Sequence, residues 1–460
     1  MNRHLSEQAA IFFSVMKWVF LSSVVGVIIG LIVTFFLKTV QYGEYYQNHL
    51  PFDYFYLLPF TLIFVVWFIK KFAPSATGHG TEKVIEAVHK KNGKIDIKVM
   101  PIKLIATVLT LFAGGSVGKE GPAGQIGATA ASAFSDIFKF NDKDRKKIVI
   151  CGISAGFASV FGTPIAGAIF GVEVLIIGAV MYDVLLPSFI AGFAAFTTAR
   201  FLGIEYSYYD IHYLQNIDLN IALIVKVILA GVFFGIVSDF FVTVNNFIHE
   251  LFQKIKYNIY IKAFIAGVVL VIIGVIFGKE YLGLGMDTIT KALLPSAYSP
   301  ENIPWYSFIL KTITASLTLS GGGSGGIITP LFYVGATSGY AFGGLIDYEH
   351  IRLFAALGFI SVVAGATNTP IASTIMAVEL FGLDIAHYAA ISAVISFLLT
   401  GHRSVFPSQI LAMRKSEILK IKTGEEVEHT KIDFEDKPIK RLRALRKKIA
   451  KNKARKRNKK

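Results

Sequence analysis

The stretch Leu109-Thr-Leu-Phe-Ala-Gly-Gly-Ser-Val-Gly-Lys-Glu-Gly-Pro122 has a partner later in the chain, Leu317-Thr-Leu-Ser-Gly-Gly-Gly-Ser-Gly-Gly-Ile-Ile-Thr-Pro330. Thr110 and Pro122 recur as Thr318 and Pro330 at an offset of 208, and Lys103, just upstream, recurs as Lys311 at the same offset. Downstream, Thr163-Pro-Ile-Ala-Gly-Ala-Ile-Phe-Gly-Val-Glu173 matches Thr369-Pro-Ile-Ala-Ser-Thr-Ile-Met-Ala-Val-Glu379 at an offset of 206. Matches in this order make the chain an internal repeat, with halves at about 50–205 and 215–410. Apolar segments interrupted by glycine and proline at equivalent places in two halves point to a substrate site at the repeat interface, near the bilayer midplane.

The surroundings of these motifs are membranous. Hydrophobic residues make up 53% of the 460 residues, and mean hydropathy is +0.57. Apolar runs recur at 11–37, 54–69, 148–177, 184–199, 221–237 and 261–277, each near the ~20 residues a spanning helix needs. The first run is too long for a signal peptide core and is read as a retained span. Shorter interrupted segments lie at 102–113, 307–320, 331–344 and 371–382. Such segments are tolerated at membrane depth only where protein or a polar cavity satisfies their backbone. The expectation is an all-α polytopic membrane protein with one transmembrane pore domain over residues 1–412.

The net charge of +15 is not spread along the chain. Residues 431–460 carry fifteen Lys or Arg against three acidic residues, leaving +3 for all the rest. A basic stretch after the last span reads as a cytoplasmic tail, 413–460, drawn to anionic headgroups by about 1 kcal/mol per charge near the surface. The same composition also reads as a solvated, disordered tail. With the core nearly neutral, nucleic acid is not an expected partner. The single cysteine, Cys151, can form no intrachain disulfide or cysteine-rich metal site.

Gly118-Lys-Glu-Gly-Pro122 sets a carboxylate among glycines just before the helix-like run 123–134. A helix start of this kind leaves backbone N–H groups free at the positive end of the helix dipole, which is an anion site without a cationic side chain. The repeat partner, Gly325-Gly-Ile-Ile-Thr-Pro330, offers the same backbone without the carboxylate. A third helix start, Gly78-His-Gly-Thr81, precedes the helical pattern 82–89. Glu120, itself an anion, can occupy such a site and must leave, or be protonated, for another anion to pass. An ionisable residue at membrane depth is a functional-site hypothesis by default; the structural alternative pairs it with Lys119.

Two other readings find little support. Gly114 to Lys119 is loosely like a phosphate-binding loop, but that motif needs glycine at 113 and Ser or Thr at 120, where Ala113 and Glu120 stand. No nucleotide or other cofactor is implied. An embedded enzyme would need a nucleophile with a base, or a metal cluster. Ser324 has no evident base, and His79, His89, His249 and His402 are scattered.

At these residues the sequence resembles the CLC family of voltage-gated chloride channels and chloride/proton antiporters. The resemblance spans roughly 50–410 and rests on Gly118 to Pro122, Gln125-Ile-Gly127, Phe161-Gly-Thr-Pro164 through Glu173, and Gly325 to Pro330. It implies an inverted-repeat fold of broken and tilted helices, a homodimer with one pore per subunit, and Glu120 as the external gate. The implied anion-binding set is His79, Gly80, Gly118, Lys119, Gly121, Gly326, Ile327, Ile328 and Phe406. The expected cargo is chloride, carried in a prokaryotic plasma membrane. The leading mode is a voltage-gated channel, with chloride/proton antiport and, more narrowly, fluoride/proton antiport as alternatives.

This chain departs from the family pattern at several points. His79 stands where the family usually has serine, Lys119 replaces arginine, and Ile328 replaces phenylalanine. Phe406 lies where many members place a tyrosine, and it has no hydroxyl to offer a central ion. Pro122 keeps the chloride-type motif. Val174 stands where the well-known antiporters carry a second, inward-facing glutamate, which is a channel-like loss, although other members exchange protons without that residue. The recurring Glu173/Glu379 pair reads as structural, and Lys103/Lys311 as snorkelling or as ligands of buried carbonyls.

Overall fold

The computed structural model describes residues 3–47, 49–206, 208–209, 220–294, 303–430 and 433–434. Among the described residues, eight α-helices precede residue 205 and eight follow residue 220. The first set is α1 (Arg3–Gln47), α2 (Leu58–Phe72), α3 (Thr81–Lys90), α4 (Val99–Phe112), α5 (Glu120–Ile137), α6 (Asp142–Phe161), α7 (Pro164–Glu173) and α8 (Tyr182–Phe201). The second is α9 (Ile221–Lys254), α10 (Ile259–Phe277), α11 (Met286–Leu293), α12 (Ser307–Ser320), α13 (Ile328–Ile346), α14 (Ile351–Thr367), α15 (Pro370–Phe381) and α16 (Ala386–Leu399). The contacts repeat along with the order. Helix α1 packs on α4, α5, α6 and α8, and α9 packs on α12, α13, α14 and α16. The first half therefore reaches back to α1, well before residue 50. Sequence matches do not reach that far because lipid-facing helices need only be apolar.

Helical stretches at 6–47, 54–72, 182–201, 221–254, 259–277 and 348–367 are long and apolar enough to cross a bilayer, and shorter apolar helices lie at 99–112, 164–173, 370–381 and 383–399. Helix α1 exposes Phe12, Phe13, Phe20 and Phe35, and α10 exposes Ile272, Val275 and Ile276, as lipid-facing surfaces do, whereas α5, α13 and α14 are buried along most of their length. With little hydrophobic drive between helices in lipid, close backbone approach takes over. A Cβ on Gly127 would strike the Gly152 carbonyl between α5 and α6, and one on Gly335 would strike that of Gly358 between α13 and α14.

The run 148–177 is broken rather than continuous. Gly162, in the left-handed region (φ +71°), closes α6, and Pro164 opens α7 where its missing N–H costs nothing. Asn368 (φ +60°) and Pro370 repeat the break between α14 and α15. The duplicated glutamates cap helices across the repeat. Glu173 accepts the N–H groups of Ile371 (3.1 Å) and Ala372 (2.8 Å) at the start of α15. Glu379 accepts those of Ile165 (3.1 Å) and Ala166 (2.7 Å) at the start of α7. Their role is structural, as the sequence suggested.

Lys103 and Lys311 do not snorkel. Both are fully buried, Lys103 donating to the carbonyls of Ala76 and Gly78 and Lys311 to those of Tyr281 and Gly283. Each lysine thus fixes the glycine turn that starts α3 or α11, its hydrogen bonds offsetting the desolvation of a buried ammonium. These turns, Gly78-His-Gly-Thr-Glu82 and Gly283-Leu-Gly-Met-Asp287, are a third repeated motif, at an offset of 205.

Short strands β1 (Ile176–Ile177) and β2 (Ile410–Leu411) pair in parallel, and β3 (Leu419–Lys420) pairs antiparallel with β4 (Asp433–Phe434). Residues 413–430, read from the sequence as tail, are docked on the helical domain. Ile421 clusters with Ile177, Phe397 and Leu411, and Lys90 pairs with Glu426 at 2.9 Å. Apart from 433–434, the basic stretch 431–460 lies outside the described residues.

Candidate anion-binding site

The glycine loops before α5 and α13 meet at the centre of the molecule. Gly118 N–H donates to Gly326 O at 2.7 Å, and Gly326 N–H donates to Gly118 O at 2.6 Å, an antiparallel bridge between equivalent residues of the two halves. The threonines of the repeat brace this bridge crosswise. Thr110 Oγ1 accepts Ser324 N–H and Thr318 Oγ1 accepts Ser116 N–H, each at 3.1 Å. Ser324 Oγ lies 3.1 Å from Thr107 Oγ1 and belongs to this scaffold, which removes it as a candidate nucleophile.

The bridge corrects part of the expected binding set. Gly118 and Gly326 use their amides on each other and so frame the site rather than donate to an ion. The free donors are the N–H groups of Glu120, Gly121, Ile327 and Ile328, which have no acceptor among the described residues, as the first turn of a helix requires. Ile327 and Ile328 are buried, so two helix starts converge in a place with little competition from water. The turn before α3 closes on the same point. A Cβ on Gly80 would meet the Gly121 carbonyl at 2.7 Å, and one on Gly121 would strike the His79 carbonyl.

Glu120, only 4% exposed, reaches across to the other half. Its Oε2 accepts the Thr329 hydroxyl at 2.5 Å and the Thr329 N–H at 3.3 Å. The carboxylate therefore sits at the N-terminus of α13, where an anion would sit. Gly118 makes room for it, since a Cβ there would collide with both Glu120 Oε2 and Thr329 Oγ1. Lys119 forms no ion pair with Glu120 among the described residues and instead lines the vestibule outside. Thr329, the partner of Glu120, was not singled out in the sequence. Its signal was its place directly before Pro330, in the first turn of the repeated helix.

Beyond Glu120 opens a vestibule of about 130 Å³, walled by Phe161, Phe332, Phe359, Tyr206 and Ile289, with Lys119 and Glu205 at its edge. At the opposite end, the Phe406 ring packs 5.5 Å from the His79 ring, and Phe406 is completely buried. Phe406 closes the path with an apolar ring and no hydroxyl. His79 Nδ1 is buried without a partner.

The two ends lie at opposite ends of α1. Lys17 on α1 pairs with Asp144 at 2.8 Å, near Asp142, which Asn92 at the far end of α3 contacts at 3.0 Å. Glu44, 27 residues further along α1, lies within electrostatic reach of Lys119 and Asp287. At 1.5 Å per residue that is about 40 Å of helix, a full bilayer. The α3 end, tied by Lys90 to Glu426, is the side from which the C-terminal tail leaves.

Comparisons with known proteins agree with this architecture. Residues 61–401 match the family model described as voltage gated chloride channel. A chloride/fluoride channel protein of Pseudomonas syringae pv. tomato is 32% identical over 411 residues, 88% of each chain. The H(+)/Cl(-) exchange transporter ClcA of Salmonella arizonae is 27% identical over 395 residues, covering 78% of this chain and 80% of that protein. Among solved structures, a CLC-type fluoride/proton antiporter superposes with a TM-score of 0.81 at 29% identity, over 87% of this chain and 99% of that one.

Proposed function

Since the chain belongs to the voltage-gated chloride channel family and is thereby a multi-pass membrane protein of anion transport, we propose that it passes chloride through a pore whose outer gate is Glu120. The observation that carries this reading is the Glu120 carboxylate, buried on the hydroxyl and amide of Thr329 at the start of α13. A carboxylate in an anion's seat competes with the anion, so transport requires it to swing into the vestibule, from the deprotonated or the protonated form. The free amides of Glu120, Gly121, Ile327 and Ile328 then hold the passing ion in place of its hydration shell.

A second reading extends the cargo to fluoride. The Thr329 hydroxyl and the missing tyrosine hydroxyl at Phe406 leave a site made mainly of small hydrogen-bond donors, which suits a small, strongly hydrogen-bonded halide. The names of the relatives point the same way, against the chloride-type Pro122. The homodimer implied by the family resemblance fits the exposed Tyr182, Phe193 and Phe201 of α8 and Leu398 of α16. The basic tail belongs on the cytoplasmic side under the positive-inside rule.

The test is halide efflux from liposomes carrying the purified protein. With Glu120→Ala, efflux becomes insensitive to external pH and the carboxylate no longer competes with the anion. Wild-type flux and pH dependence in that variant would remove Glu120 from the gate.

A further inference from the structure

Val174, at the end of α7, is completely buried among apolar side chains and offers no proton acceptor. Two carboxylates lie near the inner closure on α3 instead. Glu82 stands in its first turn. Its Oε1 accepts both the Ser408 N–H, at 3.0 Å, and the Ser408 hydroxyl, while its Oε2 is buried with no partner. Ser408 follows Phe406 by two residues, so Glu82 lies directly behind the His79–Phe406 closure. Glu86 is one turn further along the same face of α3, at the i+4 position. It is partly exposed and paired with Lys83 (2.8 Å) and Lys91 (3.4 Å). The two carboxylates make a short file along α3 that ends at Ser408, two residues from the Phe406 ring that packs on His79.

Helix α3 belongs to none of the apolar spans. Burial, opposed by the two bonds from Ser408, lifts the Glu82 carboxyl to about 6. The charged groups that act on Glu82 are Lys83 and Glu86 on α3, and Lys91, just past the end of α3, pairs with Glu86. Glu82 thus combines a free acceptor atom, a partly exposed carboxylate one turn away, and a carboxyl raised by burial to about 6. A carboxylate that only braced Ser408 would have no use for the last two.

We propose that Glu82 is the tail-side proton acceptor of this transporter, taking a proton at Oε2 from the solution reached through Glu86 and releasing it toward the anion site, so that halide movement is coupled to protons. The carboxylate gains the proton as water or hydronium loses it, and the reverse transfer restores it. This rests on Glu120 being the gate at the other end.

The experiment uses the full chain in liposomes, with a chloride gradient, then a fluoride gradient, and simultaneous recording of halide and pH. The wild type drives uphill proton movement. Glu82→Gln keeps an oxygen for the Ser408 N–H but carries no proton, and its proton-to-halide ratio falls at least tenfold; Glu82→Asp restores part of it. A ratio in Glu82→Gln equal to that of the wild type overturns the proposal and leaves Glu82 a brace. A wild type that moves no protons under either gradient also overturns it. In both cases the gate assignment stands or falls separately, on halide flux through Glu120→Ala.

Discussion

Replacing Thr329 with valine removes one methyl-sized hydroxyl and nothing else of the fold, because Thr329 sits in the first turn of α13 with its Oγ1 committed to Glu120. A hydrogen bond to a charged group contributes about 1.5–3 kcal/mol, and the remaining Thr329 N–H contact, at 3.3 Å, is the weaker of the two. The seated state of Glu120 should therefore lose a factor of about 10–150 in population relative to the open state. If the carboxylate and the anion compete for one seat, the half-saturating halide concentration falls by up to that factor, and efflux at low halide rises. Halide titration calorimetry in detergent and efflux from liposomes both read this. The decisive comparison is a double-mutant cycle with Glu120→Ala. In that background the gate is gone, and Thr329→Val should weaken halide binding slightly or leave it alone. Weakening of equal size in both backgrounds would mean that the hydroxyl serves the ion and not the gate, and would refute the reasoning.

Two further outcomes follow from the scaffold. In Gly326→Ala the new Cβ lies 2.8 Å from Gly121 N and 3.2 Å from Gly118 O, so the Gly118–Gly326 bridge must open; we expect loss of transport with a destabilisation of about 1–3 kcal/mol, and flux measured beside thermal unfolding would expose an error if flux survives. Glu173→Ala strips two N–H groups of α15 of their acceptor in a buried setting, at about 1–3 kcal/mol, whereas the half-exposed Glu379→Ala should cost less; detergent melting curves compare them, and a Glu173 variant of wild-type stability that alters only ion coupling would contradict the capping role.

Much of this was legible in the sequence, and the parts that were not share a physical reason. Offsets of 208 and 206 announced the two halves, and the structure turns matched residues into reciprocal contacts: Gly118 with Gly326, Thr110 with Ser324 and Thr318 with Ser116, Glu173 with α15 and Glu379 with α7. What the sequence could not show was which donors were already used. A glycine before a helix looks the same whether its amide faces an ion or another glycine, so Gly118 and Gly326 were expected as ligands and serve as frame. Thr329 was missed because its partner lies 209 residues away. The α3/α11 motif was missed because only two glycines and an acidic type survive between Gly78-His-Gly-Thr-Glu82 and Gly283-Leu-Gly-Met-Asp287. Its buried lysines, recognised in sequence as a pair, were the clue to it.

A duplicated scaffold would conduct equally from either side, so direction and gating must come from where the copies differ. The difference at the centre is Lys119-Glu120 against Ile327-Ile328, which gives one half a carboxylate and the other the helix start on which that carboxylate rests. The difference at the ends is His79 and Glu82 against Leu284 and Asp287. Leu284 is a buried apolar residue and Asp287 is exposed near Glu44 and Lys119, whereas Glu82 is held behind an aromatic closure with one oxygen unsatisfied. The outer end thus has its copy of this carboxylate, Asp287, in water, where its charge is screened. The inner end has one in a setting where its charge must be neutralised or partnered. The shared features, glycine bridge, capped helices and buried lysines, hold the two helix starts of the anion seat face to face. The unshared ones give that symmetric cradle an outer face and an inner face.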